Sequence, residues 1–567
     1  MNRQETLSSI RDNPKVSVLI IGGGINGVGT FRDLALQGVD VLLIDRLDFC
    51  SGASAASSHM AHGGIRYLEN GEYHLVREAV QERNSLIENA PHFVRPLPTT
   101  IPIFKWFSGL FNAPLKFLRL LNKPAERGAV VIKLGLILYD SFTRKQHTVP
   151  RHLFRFQKES LDCWNQLNQK VICTATYYDS SILSPERLTI ELLLDAEGEG
   201  NHARALNYVE LVGAKGDIVT LQDALTGQTF DVNPRLVVNA AGPWIDLANQ
   251  ALGLSTHFMG GTKGSHLVLN NPELRAAIGN HEFFFENKDG RIVLIFPLYD
   301  KVLVGTSDIP IENPDDARCT DSETGYFLEM VNRVFPDIMV DHSQIVFRFS
   351  GVRPLPASSA KTSGQISRDH SIQVINGAGS GMNFPVYSLV GGKWTSFRAF
   401  SEMVTNKVLK YFNLSRQKDT RSLPIGGGRN YPPTSKERSR WLDGLHVKNN
   451  LPLERLDVLF ERYGTRVEDI SAFIAQGKDR PLKTLPDYSR REIAFLAQNE
   501  KIVGLDDLLL RRSLLAMLGR LTRDSIDELA EALGDTLGWE ETKKKDEVKR
   551  SLEIMSDRHG VVFDQFQ

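Results

Sequence analysis

A chain of 567 residues exceeds one ordinary domain, and a domain size of roughly 100 to 200 residues predicts about two to four units. Its composition, 41% hydrophobic and 24% charged with 45 glycines, is that of a soluble globular protein; it excludes the disordered and fibrous classes, with disorder expected only at the ends. Lys plus Arg (67) nearly cancel Asp plus Glu (68), so no global field would draw the protein onto nucleic acid, and recognition of an anion must come from a local cluster.

The opening MNRQETLSSIRDNPK is polar and carries both signs, so residues 1–15 are expected as a polar leader and not as a secretory or transit signal. The run VSVLIIGGG is β-branched and aliphatic and ends in glycines; NGVGTFRDLALQGV has helical spacing, and DVLLID is again a buried-strand pattern. Together they predict one βαβ unit. Within it Gly22, Gly24 and Gly27 form GxGxxG, a tight turn that lets backbone and a helix N-terminus approach a pyrophosphate. Asp45 ends the next strand, where a carboxylate accepts bonds from ribose hydroxyls. A dinucleotide is therefore the expected ligand, with Asn26 in the same turn.

Further along, GASAASSHMAHGGIRYLENGEYHLVREA (52–79) offers small residues that let backbone lie close to a flat ring, and hydroxyls that can bind the rest of a pyrophosphate. Short strands are expected at 236–241, 291–298, 302–308 and 371–376, far enough apart to imply a cofactor domain interrupted by a second one. PIGGGRNYPP (424–433) reads as a linker, and from about Pro432 the texture turns to amphipathic helices such as LDDLLLRRSLLAMLGRL. The four cysteines, Cys50, Cys163, Cys173 and Cys319, are scattered with no metal spacing, so reduced thiols and no metal are expected. No uncharged apolar run reaches the ~18 residues of a spanning helix. Residues 101–145 interleave Phe, Trp and Leu with Lys105, Lys116, Arg119, Lys123 and Arg127, a pattern suited to lying in a headgroup layer.

IIGGGINGVG, ASSHMAHGGIRYLE, NAAGPW, KGSH, SGVRPL and GGKWTSFR occur in an order that resembles the membrane-associated, FAD-dependent glycerol-3-phosphate dehydrogenases, within the wider D-amino acid oxidase-like flavoproteins. The likeness runs from about Val16 to Phe397 and continues into LDDLLLRRS (505–513). It implies a mixed α/β and α+β fold: a Rossmann-like FAD domain (16–100, 175–255 and 345–420), an inserted mixed-sheet substrate and membrane-facing domain (101–174 and 256–344), a linker (421–433) and an all-helical C-terminal domain (434–567).

The resemblance assigns FAD contacts to Gly22, Gly24, Asn26, Gly27, Asp45, Ser54, Ser57, Ser58, His62, Gly63, Ala241, Gly242, Gly392, Lys393 and Trp394. It implies Arg66, Tyr67 and Arg353 on a substrate phosphate, where arginine suits a bidentate contact, and His266 with Arg353 in catalysis, imidazole being suited to taking a proton. The start of the helix after Lys393 would stabilise an anionic reduced flavin. The sequence departs from the family pattern at Ala53, Ala55, His59, Trp394 and Ser396, which puts substrate choice in doubt. The expected reaction is oxidation of sn-glycerol 3-phosphate to dihydroxyacetone phosphate with electrons passed to a quinone, in a cytoplasmic protein peripherally bound to a membrane, with room for a homodimer. The alternatives are an oxidase using O2, a dehydrogenase of another polyol phosphate such as a tetritol phosphate, or a flavin-binding regulatory protein.

Overall fold

The computed structural model describes residues 3–68, 71–108, 128–143, 148–287, 291–357, 369–377 and 381–563. The strand Lys15–Ile21 lies parallel between Val41–Ile44 and Thr229–Asn239. It buries Val18 and Ile20 on one face and Leu19 and Ile21 on the other, and cover on both faces is why it reads as an unbroken apolar run. Ala203–Leu206, Val386–Val390 and Ser371–Ile375 extend the sheet, and a hairpin of Val209–Lys215 and Ile218–Asp223 brings it to eight strands among the described residues. The helix Ile25–Leu36 packs on this sheet between Phe397–Phe412 and Pro185–Glu197.

A second sheet, of ten strands among the described residues, contains Thr262–Leu269, Lys301–Gly305, Ile292–Leu298, Glu282–Glu286, Val94–Ile103, Cys173–Ile182 and Ile345–Arg353. Its side chains alternate between two cores: Leu267, Leu269, Val293 and Ile295 enter one, Val268, Leu294, Phe296 and Leu298 the other. The strands Val94–Ile103, Cys173–Ile182 and Ile345–Arg353 were expected, wholly or in part, in the cofactor domain, and this assignment is corrected. Their ladders run to Glu282–Glu286 and Thr262–Leu269 instead, because apolar alternation encodes burial and not the partner strand.

The C-terminal segment is a helical domain as expected, from Ser435–Asn449 to Glu541–His559, and it packs directly on the second sheet. Its Leu456, Phe460, Leu496, Leu508 and Leu529 share one core with Leu294, Phe296 and Phe347 of the second sheet. The expected linker is also corrected. Gly426–Gly428 is buried, and a Cβ on Gly427 would lie 2.0 Å from the Tyr463 carbonyl oxygen, so these glycines permit close packing. The polar leader is likewise a helix, Arg3–Asp12, which buries Leu7 and Ile10 against the first sheet.

Candidate functional site

The turn after Lys15–Ile21 is built from the three glycines, each for a separate reason. Gly22 has φ +108°, and a Cβ there would lie 2.6 Å from the Ala240 carbonyl oxygen; one on Gly27 would lie 1.9 Å from the Gly22 oxygen, so helix and turn could not close. Around Gly24 the nearest atom to such a Cβ is Ser54 Oγ at 3.1 Å, which leaves this amide edge open toward a ligand. Ser54 Oγ also accepts from the Ile25 N–H at 2.9 Å, tying the loop 51–58 to the helix start. Asp45 accepts from the Gly23 N–H (2.6 Å) and the Leu47 N–H (2.9 Å), while burial pushes its carboxyl up to about 6.

From this turn a cavity of about 710 Å³ runs between the two sheets, within the range expected of a cofactor site. Gly22, Gly24, Asn26, Asp45, Ser54, Ser57, Ser58, Ala241, Gly242, Gly392, Lys393 and Trp394 all stand on its wall, as do His266 and Arg353. These residues fit FAD. The Cβ-free turn opens on the cavity, and the buried Asn26 Oδ1 has no hydrogen-bond partner among the described residues, so a polar group is wanted there. Trp394, a departure from the family pattern, donates from Nε1 to the Ser54 carbonyl at 2.9 Å and joins the two loops that would flank the ring system.

Glycines also make room for the reactive side chains. His266 and Arg353 lie on the paired strands Thr262–Leu269 and Ile345–Arg353. A Cβ on Gly305 would lie 2.2 Å from His266 Cδ2, and one on Gly264 2.3 Å from Arg353 Nη2. The His266 ring stacks on Phe349 (4.9 Å, 12°), and its Nε2 is 2.9 Å from Ser58 Oγ. Burial, then the Arg353 charge and the neighbouring His59, push His266 down to about 3, so it is neutral. Arg353 donates to Thr306 Oγ1 (2.8 Å) and the Ser307 carbonyl (2.8 Å) and pairs with Asp308 (3.2 Å). The carboxylate partner orients the guanidinium without removing it from the cavity wall.

His62, Gly63 and Tyr67 are set beside the cavity and not on its wall. The His62 N–H donates to Thr395 Oγ1 at 3.1 Å, and Lys393 Nζ lies 4.2 Å from the centre of the Tyr67 ring. The Tyr67 hydroxyl is buried with no hydrogen-bond partner among the described residues. Gly63 donates to Asp179 Oδ1 at 2.6 Å and meets the Tyr139 hydroxyl, which accepts from the buried Arg83. The Arg66 side chain lies outside what is described.

Several contributors were not foreseen. Ser58 is expected at the cofactor, and its bond to His266 joins a loop to a strand 208 positions away. His59, noted as a departure, is fully buried at φ +54°, with neither ring nitrogen partnered among the described residues. Most unexpected, Asp506, Leu510, Arg511, Met517, Arg550 and His559 of the helical domain stand on the same cavity wall.

The family model of FAD dependent oxidoreductases matches residues 17–396, and that of the C-terminal domain of alpha-glycerophosphate oxidase matches residues 418–544. A glycerol-3-phosphate dehydrogenase from Synechocystis is 33% identical, with 96% of this chain and 97% of that one covered. An aerobic glycerol-3-phosphate dehydrogenase from Staphylococcus haemolyticus is 28% identical, with 90% of this chain and 89% of its own covered. The solved structure of the glycerol-3-phosphate dehydrogenase from Bacillus halodurans, complexed with FAD, superposes with a TM-score of 0.73 at 21% identity, covering 100% of this chain and 99% of that one, and so shares the fold. The chain therefore belongs to the FAD-dependent oxidoreductases and, within them, to the glycerol-3-phosphate dehydrogenases.

Proposed function

We propose that the protein oxidises sn-glycerol 3-phosphate to dihydroxyacetone phosphate and passes the electrons to a quinone at a lipid surface. The observation that carries this reading is the meeting of a neutral histidine and an arginine, His266 and Arg353, on one wall of the cavity that begins at the glycine turn. When bound, FAD supplies a two-electron acceptor for the hydrogen on the carbinol carbon. Arg353, held in plane by Thr306, Ser307 and Asp308, attracts the phosphate dianion. Arg66 completes the phosphate contact, as the family resemblance implies, and Tyr67, whose hydroxyl is buried beside the cavity, backs it.

His266, being uncharged, accepts the C2 hydroxyl proton as the hydride leaves, with Ser58 fixing its ring. Lys393 and the start of the helix Phe397–Phe412 place positive potential where negative charge accumulates. Attachment to lipid is supported by exposed apolar side chains on neighbouring segments: Trp106 and Phe107, Leu134, Ile137 and Leu138, and Leu153 and Phe156. No helix among the described residues is long and apolar enough to cross a membrane.

Anaerobic mixing of the holoenzyme with a panel of phosphorylated polyols tests the proposal. Glycerol 3-phosphate is expected to bleach the flavin fastest, and a soluble quinone to restore it faster than oxygen does. Failure of every phosphorylated polyol to bleach it would overturn the reading. Stoichiometric peroxide in air with no reaction toward quinone would replace the quinone by oxygen.

A further inference from the structure

We propose that the C-terminal helical domain is part of the cofactor site, its Arg511 and Arg512 acting through Asp48 as positioning residues for the loop that holds the dinucleotide. This rests on the assignment of FAD to the cavity. Asp48 lies between Asp45 and the 51–58 loop and is 1% exposed. Its carboxylate accepts from Arg512 Nη2 at 2.9 Å, from Arg512 Nη1 and from Arg511 Nε; Asn207 Nδ2 adds a bond at 2.9 Å. Arg511 in turn donates to Asp506 (2.9 Å) and Asp507 (2.7 Å), and the Tyr208 hydroxyl donates to Asp507 at 2.6 Å.

The segment carrying Asp48 is seated directly on the glycine turn. The Cys50 N–H donates to the Gly23 carbonyl at 2.9 Å, and a Cβ on Gly23 would lie 2.6 Å from the Phe49 ring. A continuous path therefore leads from the helical domain through Asp48 to Gly23, whose own N–H is bonded to Asp45. Asp48, Tyr208, Asp506 and Arg511 are themselves on the cavity wall beside Asp45. A buried ion cluster is a poor source of net stability, because desolvation offsets most of its attraction. It does hold geometry well, since breaking one partner strands the rest in a medium of low dielectric.

The test uses the full-length protein with Asp48→Asn and, as a milder change, Tyr208→Phe. FAD affinity is read by flavin fluorescence on adding FAD back to the apoprotein, and thermal melting is followed with and without FAD. The Kd for FAD is expected to rise about tenfold in Asp48→Asn, as for loss of one charge-assisted hydrogen bond, and less in Tyr208→Phe. The FAD-dependent gain in melting temperature is expected to shrink in both. An unchanged Kd, with apo and holo melting falling together, would overturn the proposal and leave only a structural clamp. Should Asp48→Asn fail to fold, Tyr208→Phe decides by the same readings. Failure of the wild-type protein to take up FAD would instead overturn the cofactor assignment beneath it.

Discussion

His266 is charged or neutral according to what surrounds it, and burial, Arg353 and His59 work in the same direction. Desolvation, the Arg353 guanidinium and the His59 ring each disfavour imidazolium, so the folded value drops to about 3 from the usual 6.5. The form able to take a proton is thus present at any pH above about 3, and no acid limb near pH 6.5 should appear in kcat/KM from this group. Substitution His266→Gln is expected to slow anaerobic flavin reduction by about 10²- to 10⁴-fold, with FAD content unchanged; reduction at the wild-type rate would remove His266 from the chemistry.

Asp45 is shifted the opposite way. Its carboxyl is raised to about 6 by burial, so in the apoprotein it gains a proton as pH falls through that value. An ionised carboxylate is the better acceptor for ribose hydroxyls, and FAD affinity should weaken as pH is lowered through about 6. The dependence should flatten in Asp45→Asn. Parallel pH profiles for the two proteins would show that Asp45 does not contact the cofactor.

At the scale of elements, the helix Ala129–Thr143 has two characters. Leu136 and Tyr139 are buried, and the Tyr139 hydroxyl meets Gly63 and Arg83, whereas Leu134, Ile137 and Leu138 are exposed. Burying a leucine-sized side chain is worth about 1.5 kcal/mol or more. Changing Leu134, Ile137 and Leu138 together to serine is therefore expected to release the protein from liposomes while glycerol 3-phosphate still bleaches the flavin; undiminished flotation with the lipid would show that attachment lies elsewhere. The basic positions Lys116, Arg119, Lys123 and Arg127, expected to support this attachment, lie outside the described residues.

Elements differ in how far the chain itself announces them. The glycine turn and Asp45 were legible because each glycine answers a backbone demand that no other residue meets: Gly22 a positive φ, Gly27 a close helix approach. His266 and Arg353 were legible only through their motif neighbours. The partners that set their state, Ser58, Thr306 and Asp308 from loops and Phe349 from the strand paired with that of His266, are brought in by tertiary contacts that no local pattern encodes. The burial of the 506–512 charges was not legible, since two acids, three leucines and two arginines in succession fit an amphipathic helix and carry no mark of burial; Asp507 and Arg512 are almost completely buried.

On the scale of the whole molecule, the parts that the sequence suggests as separate units are joined. The helical domain and the second sheet share one apolar core, and buried ion pairs cross between segments far apart in the chain, Arg187 with Glu500 and Arg32 with Asp195 among them. Domain boundaries were the least legible feature because the strands at 94–103 and 345–353, expected wholly or in part with the cofactor sheet, pair within the second sheet. The joining matters for function: it brings a helix N-terminus, two strands of the second sheet and the helical domain around one cavity.

The central claim is that this cavity removes hydride from C2 of glycerol 3-phosphate while His266 takes the hydroxyl proton. Anaerobic stopped-flow reduction of the bound flavin, with glycerol 3-phosphate carrying either hydrogen or deuterium at C2, tests it most directly. Slower reduction by the deuterated substrate, a primary isotope effect on the flavin-bleaching step, is the expected result; absence of bleaching by either substrate would contradict the claim.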